Sequence, residues 1–282
     1  MIILKSAKEV ARFISEKHKN GAIIGFAPTM GALHQGHLSL LEKSKQQADI
    51  TVSSIFVNPT QFNNASDFEK YPVTLETDID MLEAGGCDLL FLPPVTEIYP
   101  DGTATLRKYD LGFLESVLEG KYRPGHFQGV CQVVDRLLNI VQPNLLFLGQ
   151  KDYQQCMVIR KMIEGIKSKT QIIVCPTLRE ASGLAMSSRN LRLNENEKEK
   201  ASKIYETLSF IKQEIRPGYL EDLKERARQY LTIEGFKVDY VEIADSTTLE
   251  PQTIWDGNIH LVALAAAFLN EVRLIDNISL QH

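Results

Sequence analysis

Short apolar runs punctuate the first 190 residues, and between them apolar positions return every three or four residues. The runs are Ala22 to Ala27, Thr51 to Val57, Asp88 to Leu92, Leu145 to Leu148 and Gln171 to Cys175. Stretches such as AIIGFA, DLLFL and NLLFL carry almost no polar alternation, the mark of strands covered on both faces. The amphipathic segments between them predict helices over Leu38 to Gln47, Thr74 to Ala84, Gly129 to Val141 and Tyr153 to Gly165. Parallel neighbours need a crossover, so strands alternating with helices predict an α/β fold, a parallel sheet with helices on both faces.

After Asn190 the texture changes. A charged stretch, NENEKEKASKIYETLSFIKQEI, leads to Pro217-Gly218 and a second amphipathic helix reaching about Leu231. Period-two character at Lys237 to Ile243 and an apolar run at Ile259 to Leu269 then predict an antiparallel sheet beside two helices. This reading gives two domains, residues 1–190 and a smaller α+β domain over 191–282. No internal repeat or low-complexity tract interrupts either.

Composition narrows the function. With 44% apolar and 24% charged residues, the 282-residue chain is globular in type. The longest unbroken apolar run, Leu261 to Leu269, falls well short of the roughly 20 residues a spanning helix needs, so no membrane partner is expected. The N-terminal MIILKSAKEV meets charge too early for a secretory signal. Cys87, Cys131, Cys156 and Cys175 lie far apart and read as reduced core thiols of a cytoplasmic protein. A net charge of −5 argues against a nucleic-acid backbone as the main partner and leaves a small substrate. Asn64 and Asn277 each open an Asn-x-Ser triplet, a pattern common by chance.

The most informative stretch is PTMGALHQGHLSLL, Pro28 to Leu41, which follows a strand and enters a helix. In open α/β sheets ligands bind at such a turn, where backbone N–H groups and the helix dipole favour an anion. Gly31 and Gly36 mimic a phosphate-binding loop, but His37 and Leu38 stand where Lys and Ser/Thr are required. What remains is His34-Gln35-Gly36-His37, whose i,i+3 spacing puts two imidazoles on one helix face. Aimed at an α-phosphate they would stabilise the charge built up by an in-line attack. Two surface histidines at a helix cap, or a metal pair, are the plainer readings.

Three further segments carry polar residues at strand ends. Asn58 and Gln61 flank Pro59-Thr60, as neutral ligands for hydroxyl or carboxylate oxygens or as an ordinary turn. Lys151 offers a mobile charge to a phosphate, Asp152 reads as a helix cap and Gln155 lies one turn into that helix. Ser187, Ser188 and Arg189 could grip a triphosphate or merely begin a linker. Glu119 to Phe127 reads as a clamp or a basic turn. Asp78 and Asp80, two apart on one helix, point away from each other, which disfavours a paired-carboxylate site.

PTMGALHQGH, FVNPTQF, YRPGHFQGV, GQKDYQQ and MSSRN, in this order and at these spacings, closely resemble the pantothenate synthetase family, of the nucleotidyltransferase superfamily that shares an HxGH signature with class I aminoacyl-tRNA synthetases. The resemblance implies a Rossmann-like domain and a smaller C-terminal domain that covers the active site, usually in a homodimer. It implies ATP-dependent joining of pantoate to β-alanine through a pantoyl adenylate, with release of AMP and diphosphate. By the same resemblance His37, His34 and Lys151 are catalytic. Met30, Gly31, Ala32, Leu33, His34, Gln35, Gly36 and His37 belong to the ATP site, with Gly149, Gln150, Lys151, Asp152, Met186, Ser187, Ser188, Arg189 and the backbone of Leu178. Gln61, Gln155 and Asn58 bind substrate. The MSSR segment resembles the synthetases' KMSKS loop without its lysines. Gln150 departs from the charged residue common among relatives. An acidic cluster expected after Tyr71-Pro72 is thinned to Asp78, the nearest match to a Mg²⁺ ligand, so Mg²⁺ is expected mainly on the substrate phosphates.

Other functions remain open at this point. An adenylyltransferase of the same superfamily would keep AMP in its product. A synthetase fragment would need a basic tRNA-binding module, and a nucleotide sensor would need no charges at the α-phosphate.

Overall fold

A computed structural model describes residues 1–62, 68–104 and 106–280; the triplet at Asn64 lies outside them. The chain divides into two compact units, Met1–Gln150 with Gln155–Pro176, and Lys151–Gln154 with Thr177–His282. The second unit therefore includes the residues from Thr177 to Asn190, which sequence texture groups with the first.

The first unit is built on β1 (Ile2–Leu4), α1 (Ala7–Lys19), β2 (Ile24–Thr29), α2 (Gln35–Lys45), β3 (Ile50–Ile55), α3 (Leu75–Ala84), β4 (Leu89–Phe91), α4 (His126–Val141), β5 (Leu145–Gly149), α5 (Tyr153–Gly165) and β6 (Gln171–Cys175). Six strands pair in the order β1-β4-β3-β2-β5-β6, and all five pairings are parallel. From β2 the chain moves outward to β3 and β4, then returns to place β5 on the other side of β2. The carboxyl ends of β2 and β5 thus flank the point where the winding reverses, the place an open α/β sheet offers a ligand.

The central strands are buried because helices cover them. One side of the core joins Ala27, Leu40, Leu41, Ile55, Leu82, Leu90 and Phe147. Helix α4 buries Phe127, Val130, Val134, Leu137, Leu138 and Val141, a stripe at helical spacing. Among the described residues no helix is long and apolar enough to cross a membrane.

The second unit holds α6 (Glu195–Ala201), α7 (Lys203–Glu214), β7 (Gly218–Tyr219), α8 (Glu221–Ile233), β8 (Lys237–Asp245), β9 (Ile254–Trp255), β10 (Leu261–Leu269) and β11 (Val272–Ser279). Its main sheet is antiparallel, ordered β11-β10-β8, and β7 pairs with β9. Ile204, Leu208 and Ile211 of α7 and Leu223, Ala227 and Leu231 of α8 recur every three or four residues. They pack on Leu261, Ala263, Ala265 and Ala267, alternate positions of β10. Asn194 caps α6 reciprocally with Glu197, as the Asn-x-x-Glu pattern allows.

Candidate functional site

In the first unit the site grows from the end of β2. The Thr29 hydroxyl donates to the Ser54 carbonyl (2.7 Å) and accepts from the Gly31 N–H (3.3 Å), which closes the strand. Gly31 (φ 81°) and Ala32 (φ 49°) then turn through left-handed backbone, a conformation natural to glycine. The turn aims the N–H groups of Ala32 and Leu33 at the two carboxylate oxygens of Asp78 (2.9 and 2.8 Å). Thr74 adds a hydroxyl hydrogen bond to the same carboxylate (3.0 Å). Asp78 is only 2% exposed.

Helix α2 begins at His34, whose ring Nδ1 accepts from the Gly36 N–H (3.1 Å), while the ring Nδ1 of His37 accepts from the His34 N–H (3.3 Å). The rings lie 4.1 Å apart, tilted by 42°. A ring nitrogen that accepts from an amide carries no proton, so each imidazole holds its hydrogen on Nε2 and is a neutral donor there. The amides of Ala32, Leu33 and Gly36 bond to the side chains of Asp78 and His34.

The second cluster surrounds Asn58, which is 1% exposed. Its Oδ1 accepts from the Thr60 N–H (3.3 Å), the Thr60 hydroxyl (3.1 Å) and the Tyr99 hydroxyl (2.8 Å). Its amide hydrogens go to Gln61 Oε1 and the Gly129 carbonyl, both at 3.1 Å. With every polar atom engaged in this network, Asn58 orients Gln61. Gln61 then presents its Nε2 to the sulfur of Met30 (3.0 Å), joining this turn to the loop after β2. Burial pushes the Tyr99 phenol up from its ordinary value, so it remains a donor at neutral pH.

The Glu119 to Phe127 segment, left open as clamp or turn, supports the same cluster. His126 Nδ1–H donates to the Gln61 carbonyl (2.9 Å), and Arg123 donates to His126 Nε2 (3.1 Å). A Cβ on Gly129 would stand 2.3 Å from the Thr60 carbonyl oxygen, so the close approach of α4 to this turn requires glycine. Gln155 is half-buried in the first turn of α5 and stands outside this network. Gly149 ends β5, and Gln150 opens a short helical turn with Lys151 and Asp152.

The remaining expected residues lie in the second unit. Lys151 Nζ is 3.7 Å from Asp152 Oδ1, and the Lys151 carbonyl accepts from the side-chain amide of Asn277 (2.9 Å). Leu178 and Met186 face each other across a hairpin closed by Met186 N–H to Leu178 O (3.0 Å) and Glu180 N–H to Leu184 O (2.9 Å). The Ser187 hydroxyl accepts from the Arg189 N–H (3.3 Å) and starts the turn Ser188–Arg192. Asn190 ties that turn to the hairpin through Glu180 Oε1 and the Ala185 carbonyl, both at 3.1 Å. Arg179 grips Asp276 with two arms (2.6 and 3.0 Å) and lies 4.1 Å over the ring of Tyr205. Burial raises the Asp276 carboxyl above its ordinary range, and the guanidinium opposes that rise.

The residues do not fit a protein-held divalent cation. Asp78, the expected ligand, spends both oxygens on loop amides, and no cluster of three His, Cys, Asp or Glu suited to a metal exists among the described residues.

Comparison with known proteins agrees in sequence and in fold. A family model for pantoate-beta-alanine ligase matches residues 2–279. A pantothenate synthetase of Pseudomonas fluorescens is 46% identical over 282 residues, covering 99% of this chain and 98% of the relative. The crystal structure of pantothenate synthetase from Thermus thermophilus aligns at a TM-score of 0.90 with 37% identity, over 99% of both chains. A pantoate-beta-alanine ligase from Francisella tularensis, solved as a complex with β-γ ATP and β-alanine, aligns at 0.83 with 41% identity over 99% of this chain and 98% of its own.

Proposed function

The chain belongs to the pantoate-beta-alanine ligase family, and from that membership we infer an ATP-dependent enzyme that joins pantoate to β-alanine and releases AMP and diphosphate. A carboxylate does not acylate an amine unaided, so we propose that the reaction runs in two steps. A pantoate carboxylate oxygen attacks the α-phosphorus of ATP, diphosphate leaves, and a pantoyl adenylate forms. The β-alanine amine then attacks its acyl carbon, AMP departs, and the amine gives up a proton. An adenylyltransferase that keeps AMP in its product is disfavoured by the family membership.

The observation that carries this reading is the pair of imidazoles with Nδ1 held by amides at the start of α2. Two fixed, uncharged Nε2–H donors suit a phosphate whose charge grows as the carboxylate attacks, because they need no reorganisation at that moment. In this proposal His34 and His37 face the α-phosphate, and the ATP-binding residues carried over from the family resemblance are Met30–His37, Gly149–Asp152, Leu178 and Met186–Arg189. Lys151 and Arg189 supply the positive charge that neutral histidines lack. Gln61 binds pantoate, held in orientation by Asn58, with Gln155 as a second amide. Mg²⁺ enters with the nucleotide's phosphates. The family membership also supports a homodimer working in the cytoplasm; sedimentation at micromolar concentration tests the dimer.

Exchange of labelled diphosphate into ATP tests the scheme. With pantoate present and β-alanine absent, exchange is expected, and adding β-alanine then yields AMP and pantothenate in equal amounts. Exchange that ignores pantoate, or products that retain AMP, would overturn it.

A further inference from the structure

We propose that Asp276 and Asn277 of β11, acting with Arg179, are positioning residues that set Lys151 and the Ser187–Arg189 turn in one geometry for adenylate formation. The proposal rests on the reading that Lys151 faces the ATP phosphates.

Each link is short and directional. Asn277 is buried and donates its side-chain amide to the Lys151 carbonyl (2.9 Å), fixing the backbone from which that lysine extends. The Asn277 N–H donates to Asp276 Oδ1 (2.8 Å), and its carbonyl accepts from Arg179 (3.2 Å). Asp276, also buried, receives both arms of the Arg179 guanidinium, and Arg179 gives a further hydrogen to the Gly183 carbonyl (3.1 Å). Arg179 pairs with Ala185 across the hairpin, and Asn190 binds that hairpin to the turn carrying Ser187 and Arg189. An unbroken chain of bonds therefore runs from Lys151 through β11 to the turn proposed to bind phosphate.

The chemistry of the links argues for positioning over simple adhesion. A buried ion pair contributes little net stability, because desolvation offsets the attraction between its charges. A two-armed guanidinium–carboxylate contact does fix direction, since both groups are planar and meet edge to edge. β11 is held along its length by β10 in a register from Leu269↔Val272 to Val262↔Ser279, so Asp276 and Asn277 stand on a rigid strand. A lysine has four flexible carbons beyond its backbone, and fixing the backbone constrains where they start.

Diphosphate exchange by single and double variants tests this. Lys151→Ala is expected to slow exchange. Asn277→Ala is expected to slow it about 10- to 100-fold, the cost of a displacement near 1 Å, with KM for pantoate within about twofold of the parent. In the Lys151→Ala background the Asn277 substitution should cost nothing further, because the group it positions is gone. Multiplicative losses, or a normal rate in Asn277→Ala, overturn the proposal while the ATP-site reading stands. A normal rate in Lys151→Ala overturns that reading and the proposal with it. Should Asn277→Ala fail to fold, Arg179→Lys keeps the charge and removes the fork. It is expected to slow exchange about tenfold in the parent and by a smaller factor, through the Ser187–Arg189 turn alone, in the Lys151→Ala background, and equal slowing in both overturns the proposal.

Discussion

Each histidine of the pair gives one ring nitrogen to a backbone amide, which places the ring proton of each on Nε2. Such a donor helps most where charge is growing and least where it is already spread. His37→Ala is therefore expected to lower kcat about 10²- to 10³-fold with a far smaller change in KM for ATP. Steady-state kinetics separates the two, and an effect confined to KM would place His37 in ground-state binding alone. Beneath the same loop, Asp78→Asn keeps the shape but turns an NH₂ toward an amide N–H that needs an acceptor. A cost of about 1–3 kcal/mol in a urea unfolding curve is expected, with slower diphosphate exchange. An unchanged midpoint and rate would mean the loop holds its form without the carboxylate.

At the level of elements, the approach of α4 to the turn Pro59–Gln61 holds the candidate pantoate ligand in place. Gly129→Ala puts a methyl group 2.3 Å from the Thr60 carbonyl oxygen and 2.7 Å from the Gln61 Cα. Overpacking of this kind costs about 1–3 kcal/mol, and the displaced turn is expected to raise KM for pantoate more than KM for ATP. Equal effects on both would show a global disturbance. Most elements were legible from apolar spacing: α5 and β6 have the expected limits, and β2 to β5 differ by a few residues. The three-residue β1 was too short to register, and β11 was obscured by its charged Arg273 and Asp276. The His34-x-x-His37 pair was legible because its residues are neighbours along the chain. The roles of Asp78 and Asn277 were not, because their partners lie 46 and 126 residues away and leave no local pattern.

Across the whole molecule, two spectroscopic reporters are sorted by unit. All four cysteines lie in the first unit and are buried, while the single tryptophan, Trp255, lies in the second. Burial pushes the Cys87 and Cys131 thiols up to about 12, so thiol reagents at pH 8 are expected to miss both in the native protein. Helix α5 begins with residues of the second unit and continues in the first. Thiol exposure and Trp255 emission are therefore expected to change together in rising urea, and separate transitions would show independent units. The bond between Asn277 and Lys151 also has a meaning in time. A chain emerging from the ribosome has all six parallel strands once Cys175 is out, and both histidines with them. Its lysine still lacks the amide made 126 residues later. On the proposed role of Asn277, a nascent chain has every strand of the parallel sheet before it has the residue that sets its lysine, and full speed is expected only after the strand that carries Asn277 has been translated.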